Sequence, residues 1–294
     1  VSEDLLTEER ERRRREREER RQISADPAHS NRRRLLALAL LVTGILAAAT
    51  AAALAYRHFH RSTPPVELKT ISVTVPEGYT RAQTASLAKE DGLTGSYLAA
   101  SKGHEGFLFP DTFELERHAP AADLVQLQLD DFKRRIKGVD MGYARSKNLT
   151  VFDVVTIASM IEDEAAREED RKLVAAVIFN RLHEGMPLGI DATVRFATGN
   201  YTKPLTESEL AVESPYNTRT HTGLPPGPID SPGLASIEAA AHPAKVNYLF
   251  YVAKPGTCNG LAFSSTEAEF DEDVAAYNAA REAAGGNSPD TCGE

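Results

Sequence analysis

"VFDVVTIASMIEDEAAREEDRKLVAAVIFNRLHEGM", residues Val151–Met186, reads as two consecutive helices and carries the most informative carboxylate of the chain. At about 100° per residue, Val151, Val154, Val155, Ala158, Ile161 and Ala165 share one apolar sector, and Glu162 falls inside it. Asp163 points the opposite way, and Glu164 sits at the sector's edge. A carboxyl group among aliphatic side chains loses hydration and holds its proton toward neutrality, the state a general acid needs. A structural alternative stays open: a buried Glu satisfied by an Arg or Asn. Thr150 caps the first helix, with Asp153 as its reciprocal partner. The second helix spans about Glu168 to Glu184, turns Leu173, Val174, Val177, Ile178 and Leu182 inward, and ends at Gly185.

Upstream, Leu35 to Tyr56, "LLALALLVTGILAAATAAALAY", carries no charge. At about 1.5 Å per residue it is long enough to cross a hydrocarbon core of roughly 30 Å, which predicts one retained membrane span. Arg32, Arg33 and Arg34 abut its start, while Arg57, His58, His60 and Arg61 follow its end. The eleven arginines before the span favour a cytoplasmic N-terminus and an extracytoplasmic remainder. Those arginines face nine acidic residues in the same segment, so the chain's net charge of -9 resides beyond the span. An acidic exterior argues against nucleic acid as a partner. The run "EERERRRREREERR" has no apolar stripe and reads as a solvated, partly helical or disordered tail. Cys258 and Cys292 both fall in the exported part, where a disulfide to the C-terminal tail is permitted; two unpaired thiols are the alternative.

Past a Pro-containing linker, "ISVTVP" alternates as a strand, and Thr80 to Gln83 forms a capping box for a helix running to about Glu90. A short helix over Ser96 to Lys102 and a strand at "GFLFP" complete a β-α-α-β unit. The larger domain follows from Glu116 to Ala284. Within it, Pro187 to Gly233 holds seven prolines and reads as one long irregular stretch, of the kind that usually serves function. "VNYLFYVA" and "LAFSS" read as strands, and "STEAEFDEDVAAYNAA" as a closing helix capped by Ser265 or Thr266.

The motifs "EGFLFPDTF" (Glu105 to Phe113), "ASMIEDEA" (Ala158 to Ala165), "VIFNRLHEGMPLGIDATV" (Val177 to Val194), "SPYNT" with "GLPPGPI" (Ser214 to Ile229), "SPGLASIEAAAHPAKVNYLFYVA" (Ser231 to Ala253) and "FSST" (Phe263 to Thr266) occur in order. Together they resemble the MltG/YceG family of membrane-anchored endolytic murein transglycosylases. The resemblance implies an α+β chain in six parts. These are a cytoplasmic Arg/Glu-rich tail over 1–34, a single transmembrane helix over 35–56, a linker over 57–70, a βααβ LysM-like module over 71–115, a mixed α+β catalytic domain over 116–284 and a tail over 285–294. Family members often carry a longer stretch between span and module, so the short linker here implies a reduced reach into the wall. The family's usual "DPTV" stands here as "DATV", with Ala192 in place of proline.

The family's catalytic glutamate aligns with Glu162. The resemblance implies that Glu162 protonates the oxygen between N-acetylmuramic acid and N-acetylglucosamine, then accepts the C6 hydroxyl proton as the 1,6-anhydro end forms. Conventional glycosidases pair two carboxylates, and no clear second one is evident in this sequence. No metal or cofactor is implied. Asn180, Arg181, Asp191, Thr193, Tyr216, Asn217 and Thr218 are the expected glycan-binding groups. Peptidoglycan strands, the membrane and peptidoglycan synthases are the expected partners. A muramidase that uses water and a noncatalytic wall-binding scaffold are the rival readings.

Overall fold

The computed structural model describes residues 2–24, 27–59, 69–289 and 292, and the chain divides into two compact units, Val1–Glu67 and Leu68–Glu294. The first unit holds helices α1 (Ser2–Ser24) and α2 (Pro27–Phe59). The Arg/Glu run is helical throughout, laced by i,i+4 pairs such as Arg13–Glu9 at 2.9 Å and Arg12–Glu16 at 3.5 Å. Exposed pairs of this kind contribute only a few tenths of a kcal/mol each. Within α2, Asn31–Phe59 is long and apolar enough to cross a membrane by length and composition. Most of the expected linker, residues 60–68, lies outside the described residues.

The second unit opens with β1 (Thr70–Thr74), α3 (Arg81–Glu90), α4 (Tyr97–Ala100) and β2 (Thr112–Glu116), the strands pairing antiparallel with Val73 opposite Phe113. Thr80 and Gln83 cap α3 reciprocally, and Ser96 caps α4, which is shorter than expected. "GFLFP" is not a strand. Gly106 adopts φ +83° and the Phe107 N–H donates to His104 in a turn, so the chain bends there and pairing begins only after Pro110, which has no N–H to give. Leu108 and Phe109 from this bend are buried instead.

Helix α5 (Ala121–Ile136) completes the first core, with Leu124 and Val125 packing on Val73, Val75, Tyr97, Leu108 and Phe113. Buried Gln128 accepts the Tyr97 hydroxyl at 2.6 Å. The core of the βααβ unit therefore runs on past Leu115 into α5, which suits a unit too small to bury enough apolar surface by itself.

The second core surrounds α7 (Val151–Glu164), reached through the short α6 (Gly142–Ser146). Thr150 and Asp153 form its capping box. Every residue from Val154 to Ile161 is buried, Thr156 and Ser159 included, because both hydroxyls bond back to the helix's own carbonyls. An apolar stripe on one face was the expectation; the finding is a central helix covered on all sides. Around it pack α8 (Glu168–Glu184), α9 (Asp191–Thr198) and α11 (Leu234–Ala241), with α10 (Glu207–Leu210) beside α9. Gly185 ends α8 at φ +66°.

The stretch expected to be irregular is thus interrupted by α9 and α10. Ala192 lies in the first turn of α9, a position that accepts Ala and Pro alike, so its replacement of proline leaves the helix start intact. β3 (Phe250–Ala253) pairs antiparallel with β4 (Leu261–Ser264), and α12 (Glu267–Ala283) covers them behind a Thr266–Glu269 capping box. Cys258 is disulfide-bonded to Cys292.

Candidate active site

Glu162 sits in the last turn of α7, where the helix leaves the core and three other segments close around it. Its side chain is only 8% exposed, yet its neighbours are polar. Oε2 accepts the backbone N–H of Gly233 at 3.0 Å, and Oε1 faces the Arg171 guanidinium at 3.4 Å. Arg171 is steadied by the Ser236 hydroxyl at 3.1 Å. Gly233 is the N-cap of α11, so the electropositive start of that helix also faces the carboxylate. The aliphatic surroundings inferred from the helical wheel are therefore corrected: with α7 buried on every side, what meets Glu162 is set by the segments beyond the helix's end. The Arg partner considered as a structural alternative is present.

The third segment is the β1–α3 turn. Gly78, at φ +74°, donates to the Ser231 carbonyl at 3.0 Å, and Ser231 donates back to Tyr79 at 3.1 Å. A side chain at Gly78 would meet Glu162 Cγ at 3.6 Å and Asp163 Oδ1 at 4.0 Å, so this turn lies directly over both acids. Glu77 packs its carboxyl against Gly233 and lies within hydrogen-bonding reach of Glu162; burial and then the Glu162 charge push its pKa up. On the opposite flank, Ile229 donates to Ser159 Oγ at 3.1 Å and anchors the Asp230–Gly233 loop to α7.

Asp230 is 1% exposed, and neither of its carboxyl oxygens finds a hydrogen-bond donor among the described residues. Burial, followed by the nearby Asp163 charge, raises its pKa well above the usual range. Asp163 is exposed as a residue but turns its carboxyl to Asp230, and its own pKa is raised by burial. Two acceptors in contact are satisfied only when one keeps its proton and donates it, which assigns a shared proton to this pair. Asp163 thus lies beside Glu162 under the Gly78 turn, contrary to the wheel, because a helix end leaves room for adjacent side chains to bend the same way. Glu105 completes the acidic set. It accepts the Arg81 N–H at 2.9 Å at the start of α3, and burial raises its pKa to about 7. Tyr201 stands over the same acids, its hydroxyl pushed up to about 12 by burial and then by Glu105 and Asp163.

The expected glycan-binding residues distribute differently. Thr193, Asn217 and Thr218 are buried and hydrogen-bonded internally. Thr193 Oγ1 bonds Ile190 O and Thr218 Oγ1, and Asn217 Nδ2 donates to Leu210 O and Val212 O. Their polar atoms are engaged with backbone groups and with each other, which holds the loop around α9. Asn180 donates to the Val246 and Tyr248 carbonyls, fixing the approach to β3. Arg181 donates to Leu249 and Leu188 and lies over Phe250. Arg181 and Asp191 line a separate cavity of about 550 Å³ with Glu164, Arg219 and Tyr251. There the Tyr251 hydroxyl donates to Glu164 at 3.0 Å, and burial raises Glu164 to about 7. Tyr216 is half-buried against Phe196 at 4.8 Å between ring centroids.

Sequence reasoning missed Glu77, Arg171 and Asp230, and set Asp163 aside. The available signals were Glu77–Gly78 wedged between a strand and a capping box, and Asp230 held between Pro228 and Pro232.

Comparison with known proteins places this arrangement. An endolytic murein transglycosylase of Bacillus subtilis is 35% identical over 179 residues, covering 60% of this chain and 47% of the relative. One of Streptococcus pneumoniae is 34% identical over 180 residues, covering 59% of this chain and 32% of the relative. The chain therefore matches less than half the length of these curated relatives. The crystal structure of a YceG-like protein from Listeria monocytogenes superposes with a TM-score of 0.59 at 28% identity, covering 68% of this chain and 75% of that one. The YceG-like family profile matches residues 45–276, most of the chain including every segment that meets Glu162, and the chain belongs to the YceG-like family.

Proposed function

We propose that this chain is a membrane-anchored endolytic peptidoglycan lytic transglycosylase with Glu162 as its catalytic acid. The observation that carries the reading is Glu162 itself: a nearly enclosed carboxyl held from one side by the Gly233 N–H and from the other by Arg171. Glu162 donates its proton to the glycosidic oxygen joining N-acetylmuramic acid to N-acetylglucosamine, and the bond to C1 breaks. The C6 hydroxyl of the muramic acid then bonds to C1, and its proton returns to Glu162. The product is a 1,6-anhydro end and no water is consumed. Arg171 and the Gly233 N–H stabilise the carboxylate that exists between the two transfers. Tyr216 and Tyr201 are the aromatic faces suited to a sugar ring.

In this reading α2 spans the membrane once, the Arg/Glu helix is cytoplasmic, and the second unit lies outside, cutting nascent strands near their synthases. The βααβ unit is a LysM-like glycan contact whose core α5 completes. Mass spectrometry of products from uncrosslinked nascent glycan strands tests the reading: anhydro ends from the full chain, and none from Glu162→Gln, support it. Uncleaved but bound strands with the wild-type chain would favour a scaffold.

The Asp163–Asp230 pair favours a second reading. Conventional glycosidases need a second carboxylate, and this pair supplies one beside the acid. A water activated there would give reducing ends, the signature of a muramidase.

A further inference from the structure

The β1–α3 turn belongs to the small βααβ unit, yet it reaches across to the Glu162 site. Gly78 and Tyr79 are bonded to Ser231 in both directions, Gly78 lies over Glu162 Cγ, and the Glu77 carboxyl rests on Gly233, the residue whose N–H holds Glu162. Closure of this kind is built in three places. Gly78 needs its positive φ, Gly233 has no room for a side chain while Glu77 is seated, and Ser231 offers both backbone groups. We propose that Glu77 is a positioning residue for the Glu162 acid: it hydrogen-bonds the Glu162 carboxyl so that the two share one proton, which makes the small unit part of the catalytic centre as well as a glycan contact.

The charge around the pair supports sharing. Arg171 from α8 faces both carboxyls, while Asp163 from α7, itself opposed by Arg195 of α9, and Asp230 from the loop before α11 add negative potential. Ionising Glu77 and Glu162 together would set two anions against one guanidinium with a further acidic pair alongside. Retaining one proton between them removes that repulsion, and such a pair titrates as a unit. Holding that proton for transfer, which a general acid requires, then depends on the small unit's presence. Docking of that unit would complete the acid, so cleavage would be restricted to molecules in which the turn is seated.

This inference rests on Glu162 being the acid, and the experiment separates the two claims. The full chain in detergent micelles is assayed on uncrosslinked glycan strands from about pH 4.5 to 8.5 as wild type, Glu162→Gln, Glu77→Gln and Gly233→Ala. Loss of cleavage in Glu162→Gln tests the acid alone. Glu77→Gln keeps a hydrogen-bonding group but no charge, so the alkaline limb of kcat should move about one unit lower. Activity above that limb should fall about tenfold, with KM nearly unchanged and activity near pH 5 retained. Gly233→Ala, which keeps the N–H but displaces the Glu77 carboxyl, should move the limb the same way and serves if Glu77→Gln fails to fold. A pH profile that superposes on wild type in both variants, or a change confined to KM, overturns the proposal and leaves the turn a glycan contact only.

Discussion

The N–H of Gly233 and the carboxyl of Glu162, 71 residues apart in sequence, meet at 3.0 Å and join the start of α11 to the end of α7. Arg171 faces the other oxygen, so both contacts suit the carboxylate that the proposed proton donation would leave. The two flanking residues should therefore pull the titration in opposite directions. Removing the Arg171 cation disfavours the carboxylate, so Arg171→Gln should shift the alkaline limb of kcat to higher pH while lowering kcat itself at least tenfold. That is the reverse of the shift expected for Glu77→Gln. A limb that stays in place in Arg171→Gln would mean that the guanidinium only braces Ser236.

Gly106 is a point where the small unit closely approaches α7 and the loop before α11. Its φ of +83° disfavours any side chain, and a Cβ would collide with the Pro228 ring and come within 3.0 Å of Val155 Cγ1. Pro228 leads into the loop that carries Asp230, so little space is available to relieve the overlap. Gly106→Ala should cost about 2–4 kcal/mol through backbone strain and overpacking. Equilibrium denaturation reads this directly, and a midpoint within error of wild type would show that the approach is looser than the structure has it.

Glu105 gives a stability signature with a definite sign. Burial raises its folded pKa to about 7, above the unfolded value, while it accepts the Arg81 N–H. The favourable contribution of this group is complete below the unfolded pKa and is lost as pH rises toward 7. Glu105→Gln keeps an acceptor and removes the charge, so the variant should match wild type near pH 4 and exceed it by on the order of 2 kcal/mol above pH 7. Thermal melts across that range check the difference, which should open upward with pH. A constant offset would assign the effect to packing.

How much of this was legible in the sequence depends on how local each signal is. The capping boxes at Thr80, Thr150 and Thr266 are contained in four residues, and the helices they open begin where the residues say. The positive φ of Gly185 ends α8 in the same local way. Periodicity failed at α7 because a helix buried on all sides carries no informative stripe. Glu162 was singled out from a wheel whose premise the structure replaces. Its true neighbours come from residues 77, 171 and 233, and no spacing rule connects those positions. The polar residues Thr193, Asn217 and Thr218 looked available for sugar because side-chain chemistry alone does not reveal whether the backbone has already taken it. The acids at 77, 163 and 230 stayed hidden for the converse reason: a carboxylate in a loop looks solvated until the fold buries it.

Asp230 bears on both chemistries through its pairing with Asp163. Its carboxyl is buried, finds no hydrogen-bond donor among the described residues, and is satisfied by sharing a proton with Asp163. An amide at this position would donate to Asp163 without needing a proton from solvent. The raised folded pKa of Asp230 means its favourable contribution is present in acid and lost as pH rises, so the gain from Asp230→Asn should appear at neutral pH and vanish in acid. Its size should be about 1–3 kcal/mol, the usual cost of leaving a buried polar group unsatisfied. For a transglycosylase that needs only Glu162, the variant should keep cleaving and keep leaving 1,6-anhydro ends, since the nucleophile is the sugar's own C6 hydroxyl. For a muramidase, both the wild type and Asp230→Asn would leave reducing ends, because the exposed Asp163 keeps its carboxylate for water. Product masses from the two proteins separate the two chemistries, and their melting curves at pH 5 and pH 7.5 read what the buried charge costs in stability.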